Sequence, residues 1–395
     1  MKSIYLDYNA TTPIAPAVQE AMLPFLAEHY GNPSSSHALG RACHEAVEDA
    51  RARVAQFLGA NRDEIVFTSG GTESNNLALK GAAFARALAS GRNRDWARRD
   101  SPAAGRLQGH LVISAFEHPA VVEPARFLER LGMEVAVARV DRRGLVDPAK
   151  IEAALRTDTL LVSVMHANNE IGVVQPVREI AEICRRRGVL MHTDAAQTAG
   201  KLSTRVDDLG VDLLSLAGHK MYAPKGVGAL YVRRGVVLEP LLHGAGHEAG
   251  QRAGTENVPY IVGLGRAASL AEAGLTETDD RLTRLRDRLL GRLRDAIGPG
   301  LSVNGGQAQR LPNTLSVNFP GVVAGEMLRR IPELCASTGA ACHSGSTHLS
   351  ATLAAIGLEP AVARGTVRLS LGWYTDEEQL DRAAQLLIAT FENLR

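Results

Sequence analysis

The stretch Pro176-Val-Arg-Glu-Ile-Ala-Glu-Ile-Cys-Arg-Arg-Arg-Gly188-Val-Leu-Met-His-Thr-Asp194 contains a helical pattern that is followed at once by a strand pattern. A helix is predicted over Pro176–Arg187, because proline suits a first turn, the closing arginines suit the negative end of a helix dipole, and Gly188 suits the position just past a helix. The next run, Val189–Thr193, is short and apolar, like a strand buried on both faces of a sheet. A helix that leads directly into a buried strand predicts an α/β fold with a mainly parallel sheet.

The same alternation continues through the first two-thirds of the chain. Six further runs have the character of buried strands: Ile65–Thr68, Leu111–Ser114, Val135–Val140, Leu160–Met165, Leu213–Leu216 and Gly228–Val232. Together with the first run, they predict a mainly parallel, seven-stranded sheet. An open sheet of this kind presents its functional side chains at the carboxyl ends of its strands.

The character of the sequence changes after about residue 258, where we predict a smaller α+β domain. Its predicted elements are a long amphipathic helix over Arg281–Ala296, strands at Leu301–Asn304, Thr314–Phe319 and Val367–Leu371, and a final helix from Asp376. Under this division, residues 15–257 form a large domain, and residues 1–14 with 258–395 form the small one. Gly91–Gly109 interrupts the alternation with Arg, Gly, Pro and Ser, and it is predicted to be a mobile surface loop rather than a basic binding patch.

The composition excludes several classes of function. The 395 residues carry a net charge of +1, and only 4% of them are aromatic, so neither a nucleic-acid surface nor a base-stacking platform is expected. The chain has no apolar run of the roughly 18 residues that a membrane span requires, and its first residues lack a secretory signal pattern. The four cysteines form no C-x-x-C pair, so no metal site and no disulfide framework are predicted. We therefore expect a cytoplasmic protein without membrane or nucleic-acid partners.

One lysine stands out among the six in the chain. Lys220 follows the predicted strand Leu213–Leu216 directly, with His219 before it and a glycine-containing turn that ends at Gly226 after it. Lysine, unlike arginine, can lose its proton and form a Schiff base with an aldehyde cofactor. The alternative is an ordinary lysine in a surface loop.

A glycine turn at the end of another predicted strand suits a phosphate group. Gly70 and Gly71 let a ligand approach the backbone, Thr72 adds a hydroxyl, and the helix that begins there offers free N–H groups. A plain capped helix after a tight turn is the alternative interpretation of this motif.

Two further strand ends carry side chains that suit an aromatic cofactor. Asp194 ends the run Val189–Thr193, where a buried carboxylate needs a partner such as a protonated pyridine nitrogen, and Gln197 is placed to reach a ring hydroxyl. His118 follows the strand Leu111–Ser114, where an imidazole can stack on a flat ring and transfer protons. A helix-capping aspartate and a histidine satisfied within the core are the alternatives.

Cys342 lies among small residues in Ala336-Ser-Thr-Gly-Ala-Ala-Cys342-His343-Ser. An exposed loop of small residues suits a reactive thiolate, and His343 can lower the thiol pKa. A buried, unreactive cysteine is the alternative.

The segment His243-Gly-Ala-Gly-His247-Glu248-Ala-Gly superficially resembles a dinucleotide-binding loop, but no strand–loop–helix context surrounds it. Its two histidines and Glu248 suggest a metal site only weakly, because no helical frame holds them together.

Taken together and in this order, the motifs resemble the NifS-type cysteine desulfurases, which are fold-type I pyridoxal-phosphate (PLP) enzymes. The resemblance covers essentially the whole chain. Besides the Thr72, Asp194 and Lys220 segments, it rests on Tyr5–Pro13, Gly31–His37, Glu117–Pro119, His166–Gly172, Arg252–Asn257, Gly339–Cys342 and Val367–Gly372.

The resemblance implies a PLP site and a substrate site. For the cofactor, it implies that Lys220 binds PLP covalently, His118 stacks on the ring, Asp194 pairs with the pyridine nitrogen, Gln197 contacts the ring oxygen, and Gly71, Thr72 and His219 hold the phosphate. It also implies that Thr255 reaches the cofactor phosphate of a partner subunit in a homodimer. For the substrate, it implies that Asn169 and Arg368 hold the carboxylate and that Cys342 is the nucleophile.

The implied activity is conversion of L-cysteine to L-alanine. The sulfur would pass as a persulfide on Cys342 to an acceptor protein, either a scaffold for iron–sulfur clusters or a thiolation enzyme. Two departures favour selenocysteine lyase, which releases selenide and alanine, as the alternative. Ala217 stands where many relatives have a serine that binds the phosphate, and Ala-Ala-Cys342-His-Ser is similar to the selenocysteine lyase pattern. An ordinary aminotransferase or a non-catalytic partner protein of the same fold is less consistent with the motifs.

Overall fold

The computed structural model describes residues 3–89, 106–343 and 346–395, with side chains at all of these positions except 340–348. The strands in the described residues are β1 (Ile4–Tyr5), β2 (Ile65–Thr68), β3 (His110–Ser114), β4 (Glu134–Ala138), β5 (Thr159–Ser163), β6 (Leu190–Asp194), β7 (Leu213–Ala217), β8 (Gly228–Val232), β9 (Ser302–Val303), β10 (Thr314–Asn318), β11 (Leu334–Cys335), β12 (Ser337–Thr338), β13 (Ala340–His343), β14 (Ser346–Leu349) and β15 (Thr366–Ser370).

The α-helices in the same residues are α1 (Pro16–Met22), α2 (Pro24–Ala27), α3 (Ala38–Leu58), α4 (Gly71–Asn76), α5 (Ala82–Ala89), α6 (Pro119–Arg130), α7 (Pro148–Ala154), α8 (Val177–Arg187), α9 (Val206–Leu209), α10 (Val258–Ile297), α11 (Ala324–Arg329), α12 (Ala351–Ala355), α13 (Pro360–Ala363) and α14 (Glu377–Glu392). A π-helical segment, Leu77–Gly81, joins α4 to α5, so the chain is helical from residue 71 to residue 89. None of these helices combines the length and the apolar character that crossing a bilayer requires.

The central sheet has seven strands in the order β2-β8-β7-β6-β5-β3-β4. Neighbouring strands are parallel in four pairs: β7 with β6, β6 with β5, β5 with β3, and β3 with β4. Strand β8 runs antiparallel to both of its neighbours, β2 and β7. The prediction of a mainly parallel, seven-stranded sheet is therefore confirmed. Every residue of β2, β3, β7 and β8 is buried, which explains why their sequences are apolar throughout instead of alternating.

Strand ends were harder to predict than strand positions. The predicted strands Val135–Val140 and Leu160–Met165 leave the sheet at Ala138 and Ser163, two residues before their apolar runs end. Val164 and Met165 stay buried beyond the end of the strand, at 0% and 2% exposure. Because this connection is itself buried, its side chains continue the apolar pattern beyond the end of the strand.

Helix α8 ends at Arg187 and is followed by Gly188 with φ +66°, as predicted, but it begins at Val177, so Pro176 precedes the helix instead of lying in its first turn. Helix α10 differs: it has 40 residues and begins at Val258, whereas the sequence predicts a helix only from Arg281. Its first half packs closely against other elements, and a Cβ atom added to Gly265 would lie 2.6 Å from the Cα of Ala50 in α3. That half is buried on several sides, so the one-sided apolar pattern that signals a surface helix is absent there.

The C-terminal part forms a four-stranded antiparallel sheet in the order β12-β15-β10-β9. Residues from the second half of α10, from β10 and β15, and from α14 share one hydrophobic cluster, and Leu6 near the N-terminus joins it. The first half of α10 belongs to a different cluster, that of the large sheet. The domain division at residue 258 remains a prediction. Residues 91–105 of the predicted loop lie outside the described residues, and Leu107 beyond them is buried.

Candidate active site

A cavity of about 710 Å³ lies where the polypeptide leaves the carboxyl ends of β2, β3, β6 and β7. This is the edge at which an open α/β sheet positions ligands. The cavity brings together eight of the residues predicted from the sequence: Gly71, Thr72, His118, Asn169, Asp194, His219, Lys220 and Arg368. These residues are up to 297 positions apart in the chain, so their convergence depends on the fold.

The glycine turn after β2 forms one wall of the cavity. Gly70 has φ +142°, a conformation that side-chain-bearing residues rarely adopt, and a Cβ atom added there would meet nothing within 4 Å. The Ser74 N–H donates to the carbonyl of Gly70, and the Ser74 and Thr68 hydroxyls lie 2.8 Å apart. The turn is thus braced by side chains while space above its backbone stays open, as an anion at a helix N-terminus requires.

Ala217 faces this turn from the end of β7. A Cβ atom added to Gly71 would lie 3.1 Å from the Cβ of Ala217, so a side chain at position 71 would crowd that methyl group. Ala217 lines the cavity with a methyl group. Glycine at position 71 is therefore needed for the close approach of the turn to the end of β7.

Asp194 ends β6 and is buried. Its Oδ2 accepts a hydrogen bond of 2.7 Å from Nδ2 of Asn75, and its Oδ1 accepts one of 2.9 Å from the backbone N–H of Ala196. Asn75 was not predicted as a site residue, although it lies one helical turn after Thr72 and so faces the same side of the helix. The two donors fix the orientation of the carboxylate at the cavity wall.

His118 is held at the start of α6, where its Nδ1 accepts a hydrogen bond of 3.1 Å from the backbone N–H of Ala120. In a neutral ring this bond assigns the proton to Nε2. Burial, followed by the charge of Lys220, lowers the pKa of His118, whereas Asp194 acts in the opposite direction. The ring is therefore neutral over most of the physiological pH range and suits stacking on a flat ligand.

Lys220 lies in a 3₁₀ turn, Gly218–Lys220, that follows β7 directly. Burial lowers the pKa of its amine, the Asp194 carboxylate opposes that shift, and the Arg368 guanidinium adds to it. A lowered pKa increases the fraction of unprotonated amine, which is the form that reacts with an aldehyde.

The neighbouring His219 is tied to the N-terminal segment. Its Nδ1 lies 3.2 Å from the hydroxyl of Thr11, and its carbonyl accepts a hydrogen bond of 2.8 Å from the backbone N–H of Thr12. Burial, followed by the charge of Lys220, lowers the pKa of His219 to about 4. This ring is accordingly a neutral hydrogen-bonding group at the cavity wall.

Arg368 enters the cavity from β15. Its guanidinium donates to Oδ1 of Asp7 at 2.7 Å, to the hydroxyl of Ser337 at 2.9 Å and to the carbonyl of Asn169 at 3.1 Å. Its Nε is buried and has no hydrogen-bond partner among the described residues. Asp7 was not predicted as a site residue, because nothing in the N-terminal segment indicates that it pairs with a residue 361 positions away. The arginine is held in one orientation and keeps donor capacity for a ligand carboxylate.

Two predicted residues, Gln197 and Thr255, do not line this cavity. Gln197 is buried behind it, where its Nε2 donates to the carbonyl of Asn9 at 3.0 Å and its Oε1 has no partner among the described residues. Thr255 is exposed and does not line the cavity. The backbone of Cys342 lies in β13, paired with Thr347 of β14, so the predicted loop is a two-stranded hairpin, because backbone pairing extends along the run of small residues.

The segment around Glu248 has a structural arrangement of its own. Arg51 donates two hydrogen bonds, of 2.7 and 2.9 Å, to the buried carboxylate of Glu248, which also accepts from the backbone N–H of Phe67 at 2.8 Å. His247 lies 3.9 Å from Glu256 instead. Within the described ranges, no group of three or more His, Cys, Asp or Glu side chains is placed to hold a metal ion.

These residues fit pyridoxal phosphate. The cavity offers an open glycine turn at a helix start, an amine with a lowered pKa, a fixed carboxylate and a neutral imidazole. One buried polar atom of a cavity-lining residue, Nε of Arg368, lacks a partner within the described protein and suits a polar group of a ligand. The donor set matches an aromatic, phosphate-bearing aldehyde together with an amino-acid carboxylate.

Comparison with known proteins agrees with this assignment. The cysteine desulfurase IscS of Dictyoglomus turgidum is 45% identical over 396 residues, which is 100% of this chain and 96% of that protein. The solved structure of a NifS-like protein has a TM-score of 0.87 at 36% identity and covers 99% of this chain and 100% of its own. The structure of SspA in complex with cysteine has a TM-score of 0.80 at 38% identity and covers 95% of this chain and 100% of its own.

The predicted resemblance to NifS-type proteins and the predicted α/β fold are both confirmed by these relatives. The sequence also matches the family described as Aminotransferase class-V over residues 4–383. A match of that extent leaves almost no part of the chain outside the family. The protein therefore belongs to the class-V aminotransferase family.

Proposed function

We propose that this protein is a PLP-dependent cysteine desulfurase, an enzyme that converts L-cysteine to L-alanine and transfers the sulfur to an acceptor. The observation that carries the proposal is the convergence of Lys220, Asp194 and Arg368 on one cavity. The relatives named cysteine desulfurase, at 43–47% identity over nearly the full chain, support the same activity.

The cofactor would be held by residues from several elements. Lys220 would bind its aldehyde, Asp194 its ring nitrogen, and His118 the face of its ring. Gly71, Thr72 and His219 would hold its phosphate, and Gln197 would reach the ring oxygen. When bound, PLP supplies an electron sink for the electron pair released at the substrate Cα.

Arg368 and Asn169 would bind the substrate. Arg368 would bind the cysteine carboxylate through the donor capacity that Asp7 and Ser337 leave free. This contact would orient the Cα–H bond towards Lys220, whose unprotonated Nζ would take the Cα proton.

Cys342 would accept the sulfur. Its thiolate would attack the sulfur of the substrate, an S–S bond would form, and the Cβ–S bond would break with its electron pair left on carbon. In net terms, cysteine and the Cys342 thiol give alanine and a Cys342 persulfide, so no external oxidant is required. The hairpin formed by β13 and β14 would carry the persulfide to an acceptor.

The acceptor would be a protein that builds iron–sulfur clusters or a thiolation enzyme, and the protein would work as a cytoplasmic homodimer. Thr255 supports the dimer, because it is exposed and outside its own subunit's cavity, where a residue that contacts a partner's phosphate would have to lie. Selenocysteine lyase is the second candidate, and the methyl group of Ala217 at the phosphate end of the cavity favours it.

The test is alanine release from L-cysteine by the PLP-loaded protein with a reductant present, beside Cys342→Ala. Cys335→Ala is the matched control, because Cys335 lies in β11, outside the cavity. We expect alanine from the wild type and the control but not from Cys342→Ala. If Cys342→Ala is as active as the wild type, Cys342 is not the nucleophile. If only L-selenocysteine is turned over, the protein is a selenocysteine lyase.

A further inference from the structure

A second lysine lies behind the proposed cofactor lysine. Lys201 belongs to the turn that follows Asp194 and is only 6% exposed. Its Nζ donates one hydrogen bond, of 2.8 Å, to the carbonyl of Gln197, and it has no ion-pair partner among the described residues. An ammonium group has three N–H donors, so a protonated Lys201 would be poorly satisfied at this position.

Lys201 and Lys220 share a space. Both line a small enclosed cavity of about 10 Å³, together with Met221, Tyr222 and Trp373. A space of this size is about what one water molecule requires, and such a molecule needs at least two polar partners. A water held between the two amines would connect them by hydrogen bonds.

The charges around Lys201 and Lys220 disfavour protonation of both amines at the same time. Burial, and then the charge of Lys220, lowers the pKa of Lys201 to about 7. Asp194 favours the protonated form of Lys220, whereas Arg368 disfavours it. His219 also feels the charges of both lysines, and burial keeps the Tyr222 phenol protonated by raising its pKa.

We propose that Lys201 and Lys220 share a single proton around neutral pH, and that Lys201 is the positioning residue that keeps the Lys220 amine free to react. When the shared proton is on Lys220, Nζ of Lys220 would transfer this proton to the bridging water. Another proton of that water would pass to Nζ of Lys201. The reverse transfer returns a proton to Lys220, so no external acid or base is required. Two interacting amines of this kind titrate as a pair.

The inference rests on the proposed function, because it takes Lys220 as the reactive amine. Its test, however, needs neither substrate nor turnover. Trace acetylation of the cofactor-free, full-length protein with acetic anhydride, read by peptide mass spectrometry at each pH, reports the unprotonated fraction of each lysine. Failure to release alanine from cysteine would overturn the function and leave this titration unaffected.

For wild type, we expect the acetylation curve of Lys220 to be broader than a single titration. In Lys201→Met the curve should become a single step, with its midpoint higher by at least about one pH unit. Lys80→Met is the matched control: its amine lies 4.5 Å from the centre of the Phe127 ring, burial lowers its pKa, and it does not line the active-site cavity. That variant should reproduce the wild-type curve.

The reciprocal variant keeps the test decisive if Lys201→Met does not fold. In Lys220→Met, the midpoint for acetylation of Lys201 should rise by the same amount, because the coupling between two sites is mutual. In the holoenzyme, the pH at which the cofactor absorbance changes should also rise in Lys201→Met. Superimposable Lys220 curves in wild type and Lys201→Met, or an unchanged Lys201 curve in Lys220→Met, would overturn the proposal.

Discussion

Asn75 donates a hydrogen bond of 2.7 Å from its Nδ2 to Oδ2 of Asp194, and both side chains are buried. The bond joins the helix that begins at the glycine turn to the end of β6, so these two parts of the cavity wall are fixed relative to each other. A carboxylate that is held this way is already oriented before a ligand enters.

Replacing Asn75 by Ala should therefore weaken cofactor binding. Loss of a hydrogen bond to a charged group costs on the order of 1.5–3 kcal/mol, so we expect the Kd for PLP to rise about tenfold or more. Titration of cofactor absorbance measures this change. Asn76→Ala is the control, because the neighbouring amide donates only to the carbonyl of Thr72 at 2.9 Å, and it should bind PLP like the wild type.

Arg368→Lys should weaken substrate binding and leave cofactor binding unchanged. Lysine keeps the positive charge but lacks the planar fork that contacts Asp7, Ser337 and a carboxylate at once. We expect kcat/KM for L-cysteine to fall by about a hundredfold, mainly through KM, while PLP absorbance is retained. A variant with the wild-type KM would show that the carboxylate is bound elsewhere.

Glu117 should make stability depend on pH. It is fully buried, Ser114 and the backbone N–H of Met165 donate to its Oε1, and burial raises its pKa to about 8. A carboxyl group whose pKa is raised on folding contributes stability that is fully present below its unfolded pKa, about 4.5, and is lost as the pH rises through about 8.

Glu117→Gln should remove that dependence, because the amide keeps the Oε1 acceptor but does not ionise. The free energy of unfolding of the wild type should fall by at least about 1 kcal/mol more than that of the variant between pH 5 and pH 8. Denaturant unfolding at several pH values measures this difference. Parallel curves would mean that Glu117 is ionised in the folded protein.

The Arg51–Glu248 pair should contribute strongly to stability. Its side chains are only 10% and 3% exposed, and Glu248 has φ +49°, a conformation that needs support from its surroundings. Removing one partner of a buried pair leaves an uncompensated charge, so Arg51→Met should cost about 3–5 kcal/mol of unfolding free energy. The control, Arg126→Met, breaks an exposed pair with Glu123 and should cost less than about 1 kcal/mol.

The sequence was sufficient to predict those cavity residues that lie at or just after the end of a strand. Asp194, Lys220 and His118 each follow a short apolar run, and parallel strands necessarily bring their carboxyl ends to one edge. The start of α10 could not be predicted, because most residues between Val258 and Ala271 are buried and show no one-sided pattern. The Arg51–Glu248 pair also joins distant parts of the chain, and no local pattern predicts such a contact.

The strand pairing at Cys342 could not be predicted from the sequence for a different reason. Small residues such as Ala340 and Ala341 suggest a loop by composition, yet their backbone pairs with β14. Strand pairing depends on a partner segment and its register, and neither is visible in the residues around the cysteine.

Helix α10 is roughly 60 Å long, at 1.5 Å per residue, and it supplies side chains to two hydrophobic clusters, with Leu264 in one and Leu289 in the other. If either hydrophobic cluster unfolded, half of this helix would lose its packing contacts and the other half would become less stable. The two parts of the protein should therefore lose their structure in one cooperative transition, so that calorimetry records a single heat-absorption peak.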